Sequence, residues 1–105
     1  MVIEWLKFRV EARSKEFIYY DRLIWTDFLS STSGFLGKEV WLDPNNPEHI
    51  ILVIRWNTRK EWKSISAEDL KKVTQHFDAV MSRLNIQYES IGFAEYQVEP
   101  LAINH

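Results

Sequence analysis

The sequence predicts an α+β domain of ferredoxin-like plan, βαββαβ with a four-stranded antiparallel sheet, and three observations carry that reading. Residues 2–10, VIEWLKFRV, alternate apolar and polar side chains with the period of two that a half-buried strand requires. From Ser14 the apolar spacing lengthens to that of a helix. DPNNPE, with two prolines and two asparagines, then separates two β-rich runs as a hairpin connection would. Strand, helix, strand, strand, helix, strand is the split βαβ arrangement. A chain of 105 residues with 46% hydrophobic content suits one such domain with one core. Its expected span is residues 1–98, with a C-terminal tail, 99–105, that shows no pattern.

In the first strand Val2, Leu6, Phe8 and Val10 share one face with Glu4, and Ile3, Trp5, Lys7 and Arg9 share the other. A carboxylate near a strand end that reaches solvent is the simpler expectation for Glu4, and a pocket acid is the alternative. Phe17, Ile24 and Phe28 recur at helical spacing, and SSTSG closes that helix with Gly34 as the turn residue. FLGKEVWL and HIILVIRW are the second and third strands. In VIRWNTRKEW, Thr58 and Glu61 form a T-x-x-E capping box in which hydroxyl and carboxylate satisfy orphan amides at a helix start. Ser66 and Asp69 repeat the device, and Trp62 is the first residue of this corner on the buried side. Leu70, Val73, Phe77, Val80 and Leu84 define the inward stripe of the last helix, and YESIGFAEYQV is the last strand.

One side of the sheet is thus expected to be nearly all apolar: Val2, Leu6, Phe8, Leu36, Val40, Leu42, Ile50, Leu52, Ile54 and Trp56, covered by both helices. The other mixes Trp5, Lys7, Glu39, Trp41, Val53 and Arg55 with Arg9 and Ile51. A freely solvated face has no need of two tryptophans beside Ile51 and Val53. A face pressed against a second copy does, so the expected partner is the chain itself, in a homodimer with Glu39 paired across to Arg55 or Lys7.

Several function classes are disfavoured. Thirteen basic and fifteen acidic side chains are interspersed without a basic stripe, so no nucleic-acid partner is expected. The absence of cysteine removes disulfides and thiolate chemistry, and fits a reducing cytoplasm. The N-terminus is too short and too charged for a signal peptide, and no apolar run reaches spanning length, so no membrane role is expected. His49, His76 and His105 have no metal-ligand spacing, and the glycines at 34, 37 and 92 form no phosphate-binding loop. No metal and no resident cofactor are expected.

With this plan, GFLGKEVW after the first helix and VIRWNTRKEW after the third strand, the chain resembles the antibiotic-biosynthesis-monooxygenase-like family of dimeric α+β barrels over roughly residues 1–98. Within that superfamily it looks most like a group of short cyanobacterial proteins. The superfamily includes cofactor-independent monooxygenases, haem-degrading enzymes and decarboxylases. The resemblance implies a reactive cavity inside each subunit, between sheet and helices.

Two residues on the inward helix faces are candidate catalytic groups. Asp21 projects into the apolar stripe of the first helix, among Phe17, Ile24, Trp25 and Phe28. An ionised carboxylate there needs a buried partner, or else is a pocket base with its pKa raised by apolar surroundings. His76 lies at the border of the last helix's stripe. In haem-degrading relatives a histidine near this place ligates the iron, with an asparagine on the first strand and a tryptophan in the last helical region. The first strand here has no asparagine, and Trp62 stands too near the third strand to match, which makes haem breakdown the least supported reading.

Tyr20, Trp25, Phe28, Trp56 and Phe77 are the candidate walls for a small hydrophobic or aromatic ligand. Two hypotheses follow. One is a dimer that binds such a molecule without transforming it. The other is a cofactor-independent monooxygenase, in which Asp21 or His76 removes a phenolic or enolic proton and the carbanion passes an electron to dioxygen. A space filled by Trp25, Phe28 and Phe77 favours the first; a void of hundreds of cubic ångströms with Asp21 at its wall favours the second.

Overall fold

The computed structural model describes residues 1–99. The tail expected at 99–105 therefore lies, beyond Glu99, outside the described residues. The elements are β1 (Val2–Val10), α1 (Ser14–Tyr20), a π-helical segment (Asp21–Thr26), α2 (Asp27–Ser30), β2 (Phe35–Asp43), β3 (Asn46–Trp56), α3 (Arg59–Lys63), α4 (Ala67–Arg83) and β4 (Tyr88–Gln97). The four strands form one antiparallel sheet in the order β2-β3-β1-β4, the ferredoxin-like topology. Among the described residues no helix is long and apolar enough to cross a membrane.

The expected corners form as local chemistry requires. Asn45 N–H donates to the Asp43 carboxylate at 2.9 Å across the two-residue turn between β2 and β3. The Thr58 hydroxyl accepts from Glu61 N–H, and the Ser66 hydroxyl from Asp69 N–H, each at 3.1 Å. The Glu61 carboxylate does not return to the Thr58 amide as a reciprocal capping box would. It accepts instead from the Thr58 hydroxyl, Asn57 Nδ2 and Ser33 Oγ, tying the start of α3 to the turn before β2. Gly34 in that turn has φ +82°, and a Cβ there would stand 2.6 Å from the Glu61 Cβ, so both conformation and space call for glycine.

The first helical stretch departs from the uniform helix expected. Its middle is π-helical, and such a turn holds more residues than the 3.6 of an α-helix. The inward residues consequently recur every four positions: Phe17, Asp21, Trp25 and Leu29 face the sheet. Leu29 is buried, whereas Ile24 and Phe28, expected in the stripe, are only half-buried. In α4 the buried row is Val73, Phe77 and Met81. Val80 and Leu84 pack at its margin.

The sheet faces also differ from strict alternation. A bulge in β2 sets Phe35 opposite Trp56 and Gly37 opposite Arg55, so Phe35 occupies the inner face and Leu36 is pushed out, 55% exposed. Beyond the bulge Lys38, Val40 and Leu42 align with Ile54, Leu52 and Ile50. Val40 and Leu42 remain exposed on this edge strand.

On the outer face Trp5 is half-buried over Gly92, Val53 is buried, and Trp41 is 44% exposed. Lys7 is half-buried on the same face. Glu39 is not left waiting for a second copy: it pairs with Arg55 of its own chain and accepts from Trp41 Nε1 at 2.9 Å.

The core divides into two lobes. One gathers Val10, Phe17, Ile50, Leu52, Phe77, Met81 and Ile86. Within and beside it, the Phe17 ring lies 5.4 Å from Phe77 and 5.2 Å from Tyr88. The other gathers Val2, Leu29, Ile54, Trp56 and Trp62, with Trp56 stacked on Trp62 at 6.4 Å and 14°.

Candidate active site

Between the two lobes lies a cavity of about 430 Å³. Typical small-molecule pockets span about 300–1,000 Å³. Its floor is the inner sheet face, with Glu4, Leu6 and Phe8 from β1, Leu52, Ile54 and Trp56 from β3, and Lys38 from β2. Its roof is the four-residue row of the first helical stretch, Phe17, Asp21, Trp25 and Leu29. Trp62, Lys63, Leu70 and Phe77 also contribute to its wall, which is mostly apolar and strongly aromatic.

Three charged groups interrupt that wall on the floor and roof. Asp21 Oδ2 is 2.6 Å from Lys38 Nζ, and both side chains are only 4% exposed. Lys38 also donates to Thr26 Oγ1 at 3.0 Å. The π turn brings Asp21 and Thr26, five residues apart, onto one ammonium. Burial pushes the Asp21 carboxyl above the ordinary carboxylate range; the Lys38 charge and its hydrogen bond pull it back part of the way.

Glu4 is the second carboxylate. Strand register places Lys38, Ile54, Glu4 and Glu95 side by side across β2, β3, β1 and β4. Glu4 therefore stands mid-sheet on the cavity floor, not at a strand end reaching for solvent. Trp56 Nε1 donates to its Oε1 at 3.1 Å. Burial raises the Glu4 pKa most, and Glu95 adds to the rise, while the indole bond and the charges of Lys63 and Lys38 oppose it. At the β4 end Tyr88 donates to Asp78, and burial together with that carboxylate pushes its phenol well up.

Of the residues singled out from sequence, Asp21, Trp25, Trp56 and Phe77 line the cavity. Tyr20 does not; it packs edge-on against Tyr19 at 5.0 Å. Phe28, turned aside by the π segment, lines a separate groove open to solvent with Ile24, Asp27, Asp69, Lys72 and Val73. His76 is exposed in that same groove, so Asp21 and His76 do not meet. Among the described residues no histidine lines the cavity, so the iron-ligating histidine that the haem-degrading resemblance implies at His76 is not in place.

Sequence reasoning missed Lys38 and gave Glu4 the lesser role. Lys38 carried a signal: it falls between Leu36 and Val40 on the even-numbered positions assigned to the inner face, and a lysine there calls for a buried acid.

Neither a protein-family model nor a curated protein matches the chain by sequence. Solved structures do match its fold. SnoaB, a cofactor-independent oxygenase from Streptomyces nogalater, superposes with a TM-score of 0.72 at 12% identity, over 95% of this chain and 94% of its own. A protein from Deinococcus radiodurans, described as an antibiotic biosynthesis monooxygenase, gives 0.63 at 24% identity over 99% and 97%. The monooxygenase ActVA-Orf6 of Streptomyces coelicolor, in complex with nanaomycin D, gives 0.66 at 10% identity over 97% and 92%. These likenesses establish a shared fold, and the narrower resemblance to cyanobacterial proteins draws no support from them.

Proposed function

We propose that the chain is a cofactor-independent oxygenase that takes a small, flat, hydroxyl-bearing aromatic molecule into the cavity between sheet and helices. The observation that carries this reading is the cavity itself: about 430 Å³, walled by aromatic rings, with one buried carboxylate, Asp21, and one half-buried carboxylate, Glu4, on its surface. A wall packed shut would have favoured simple aromatic packing. The fold shared with SnoaB, a cofactor-independent oxygenase, and with the monooxygenase ActVA-Orf6, in complex with nanaomycin D, supports the same class of chemistry.

In this mechanism a cavity base removes the phenolic proton, or the ring-methylene proton of the keto tautomer, and the common carbanion that results gives one electron to dioxygen. The two radicals combine as a hydroperoxide, and loss of water leaves a carbonyl. In balance, a ring methylene and one dioxygen become a ring carbonyl and one water. Apolar walls limit the water that would quench the anion. Asp21 is poorly suited as the base, because its carboxylate already holds the Lys38 ammonium.

Oxygen-electrode assays with hydroquinones and anthrones, with and without a chelator, test the proposal. The expected result is oxygen uptake above the uncatalysed rate, unaffected by chelator, with one new carbonyl and no hydrogen peroxide per dioxygen for the anthrones. Saturable binding of these compounds without oxygen uptake would favour the non-catalytic binder instead.

A homodimer through the outer sheet face belongs to the same reading, with Trp5, Lys7, Trp41 and Val53 at its centre and the Glu39–Arg55 pair of each chain beside them. Trp41, at 44% exposure, is a large aromatic group that such an interface would cover. Sedimentation velocity at micromolar concentration is expected to give twice the chain mass, and Trp41→Glu to return the monomer. A monomeric wild-type protein rejects this interface.

A further inference from the structure

Glu4 is the cavity carboxylate with an acceptor atom to spare. Its Oε1 receives the Trp56 indole N–H at 3.1 Å, and among the described residues no hydrogen bond reaches Oε2 and no cation lies within ion-pairing distance. Asp21 differs on both counts, because its Oδ2 is held by Lys38 at 2.6 Å. We propose that Glu4 is the proton acceptor of this cavity, taking the hydroxyl proton of a neutral aromatic ligand, with the Trp56 indole as its positioning residue. The proposal rests on the cavity being the ligand site argued above, and it names the chemistry the ligand must offer: an un-ionised, acidic hydroxyl.

Three features of the geometry support it. An indole N–H donates but cannot accept, so it steadies the carboxylate without competing for the incoming proton. Trp56 itself is fully buried between Phe35 and Trp62, which fixes the direction of that donor. Charge is the third. The groups that act on Glu4 are Lys38 on β2, Glu95 on β4 and Lys63 at the end of α3. Glu95 is answered by Arg59 at 3.1 Å, and Lys63 lies 4.1 Å over the Trp62 ring at the cavity wall.

When the ligand O–H bond breaks and the Glu4 O–H bond forms, negative charge moves from the floor to the ligand oxygen. The cavity's total charge does not change, so no additional charge has to be desolvated, and two lysines stand near the anion that forms. Burial keeps Glu4 nearer working pH than an ordinary carboxylate, which suits a base that must later give its proton up.

The test uses 4-nitrophenol, whose anion absorbs apart from the neutral form, titrated into the protein across a pH series. A neutral phenol donating to an ionised Glu4 binds best between the two ionisations. Affinity is therefore expected to rise through the Glu4 ionisation, above the ordinary carboxylate range, and to fall as free nitrophenol ionises. Glu4→Gln, which preserves an acceptor for the indole, is expected to abolish the rising limb and weaken plateau binding about tenfold. His76→Gln is expected to keep the limb.

In parallel, the side-chain carboxyl 13C resonance of Glu4 in the wild-type protein should shift on nitrophenol binding, a readout that does not depend on any variant folding. A rising limb that survives Glu4→Gln, or an unmoved Glu4 resonance with nitrophenol bound, overturns the assignment and leaves the oxygenase proposal standing. Loss of the limb in Glu4→Gln without oxygen uptake by the wild type upholds Glu4 as acceptor and rejects the oxygenase. Failure of the wild type to bind nitrophenol overturns the Glu4 assignment, and the oxygen-electrode assay then decides the oxygenase proposal by itself.

Discussion

Lys38→Met is expected to destabilise the fold by about 3–5 kcal/mol at neutral pH, because it strands the buried Asp21 charge without a partner. Lys38 also holds the Thr26 hydroxyl, so the π turn loses the ammonium that gathers its two ends. The pH dependence identifies the cause. Asp21 already has its folded-state pKa raised by burial, and loss of the lysine removes the influences that hold it down. A carboxyl raised in the folded state favours folding most below its unfolded pKa, and that advantage is lost as pH rises through the folded value. Urea midpoints of Lys38→Met should therefore lie far below wild type at neutral pH and approach it in mild acid, where Asp21 takes a proton. Asp21→Leu combined with Lys38→Met, an apolar pair of similar volume, should recover most of the loss. An equal deficit at both pH values would show that lost packing, not stranded charge, is responsible.

Trp56→Ala carries the second large effect. The side chain is fully buried, stacked on Trp62 and edge-on to Phe35, and its removal is expected to cost about 3–5 kcal/mol. The shape of the damage matters as much as its size, since the vacated volume opens into the existing cavity and both carboxylates gain access to water. Trp56→Phe is the informative companion. It keeps most of the apolar area but withdraws the N–H from Glu4, whose pKa should move further up because the hydrogen bond holding it down is gone. Chemical denaturation should rank Ala well below Phe, and carboxyl 13C titration should find Glu4 protonated to higher pH in Trp56→Phe. A Glu4 titration unchanged in Trp56→Phe would mean that the indole bond has no influence on the carboxylate.

Both substitutions touch residues whose roles are unevenly legible in the sequence. Trp56 ends a β-rich run on the apolar side, and alternation alone places it inward, as observed. Glu4 and Lys38 obey the same alternation and also point inward, but charged residues on an apolar face can be assigned only when their partners are known. Those partners, Trp56, Asp21 and Thr26, lie on other elements at sequence separations of 12 or more. The inward row of the first helical stretch is legible only in part, for another reason. Projection at 3.6 residues per turn puts Ile24, Trp25 and Phe28 together in the stripe, whereas the π turn keeps Trp25, adds Leu29 and sends Phe28 to the far groove with His76.

Local pattern by itself determined the element order, the hairpin turn, the two Ser/Thr caps, the glycine before β2 and the apolar character of the inner sheet face, because each follows from contacts or backbone geometry within a few residues. The tertiary structure alone decided that the core splits into two lobes with a cavity between them, that Asp21 is neutralised by Lys38, and that Glu4 keeps an open acceptor on the cavity floor. Cavities and buried charge pairs depend on how distant elements register against one another, and one helical turn wound more widely than its neighbours is enough to change which side chains meet.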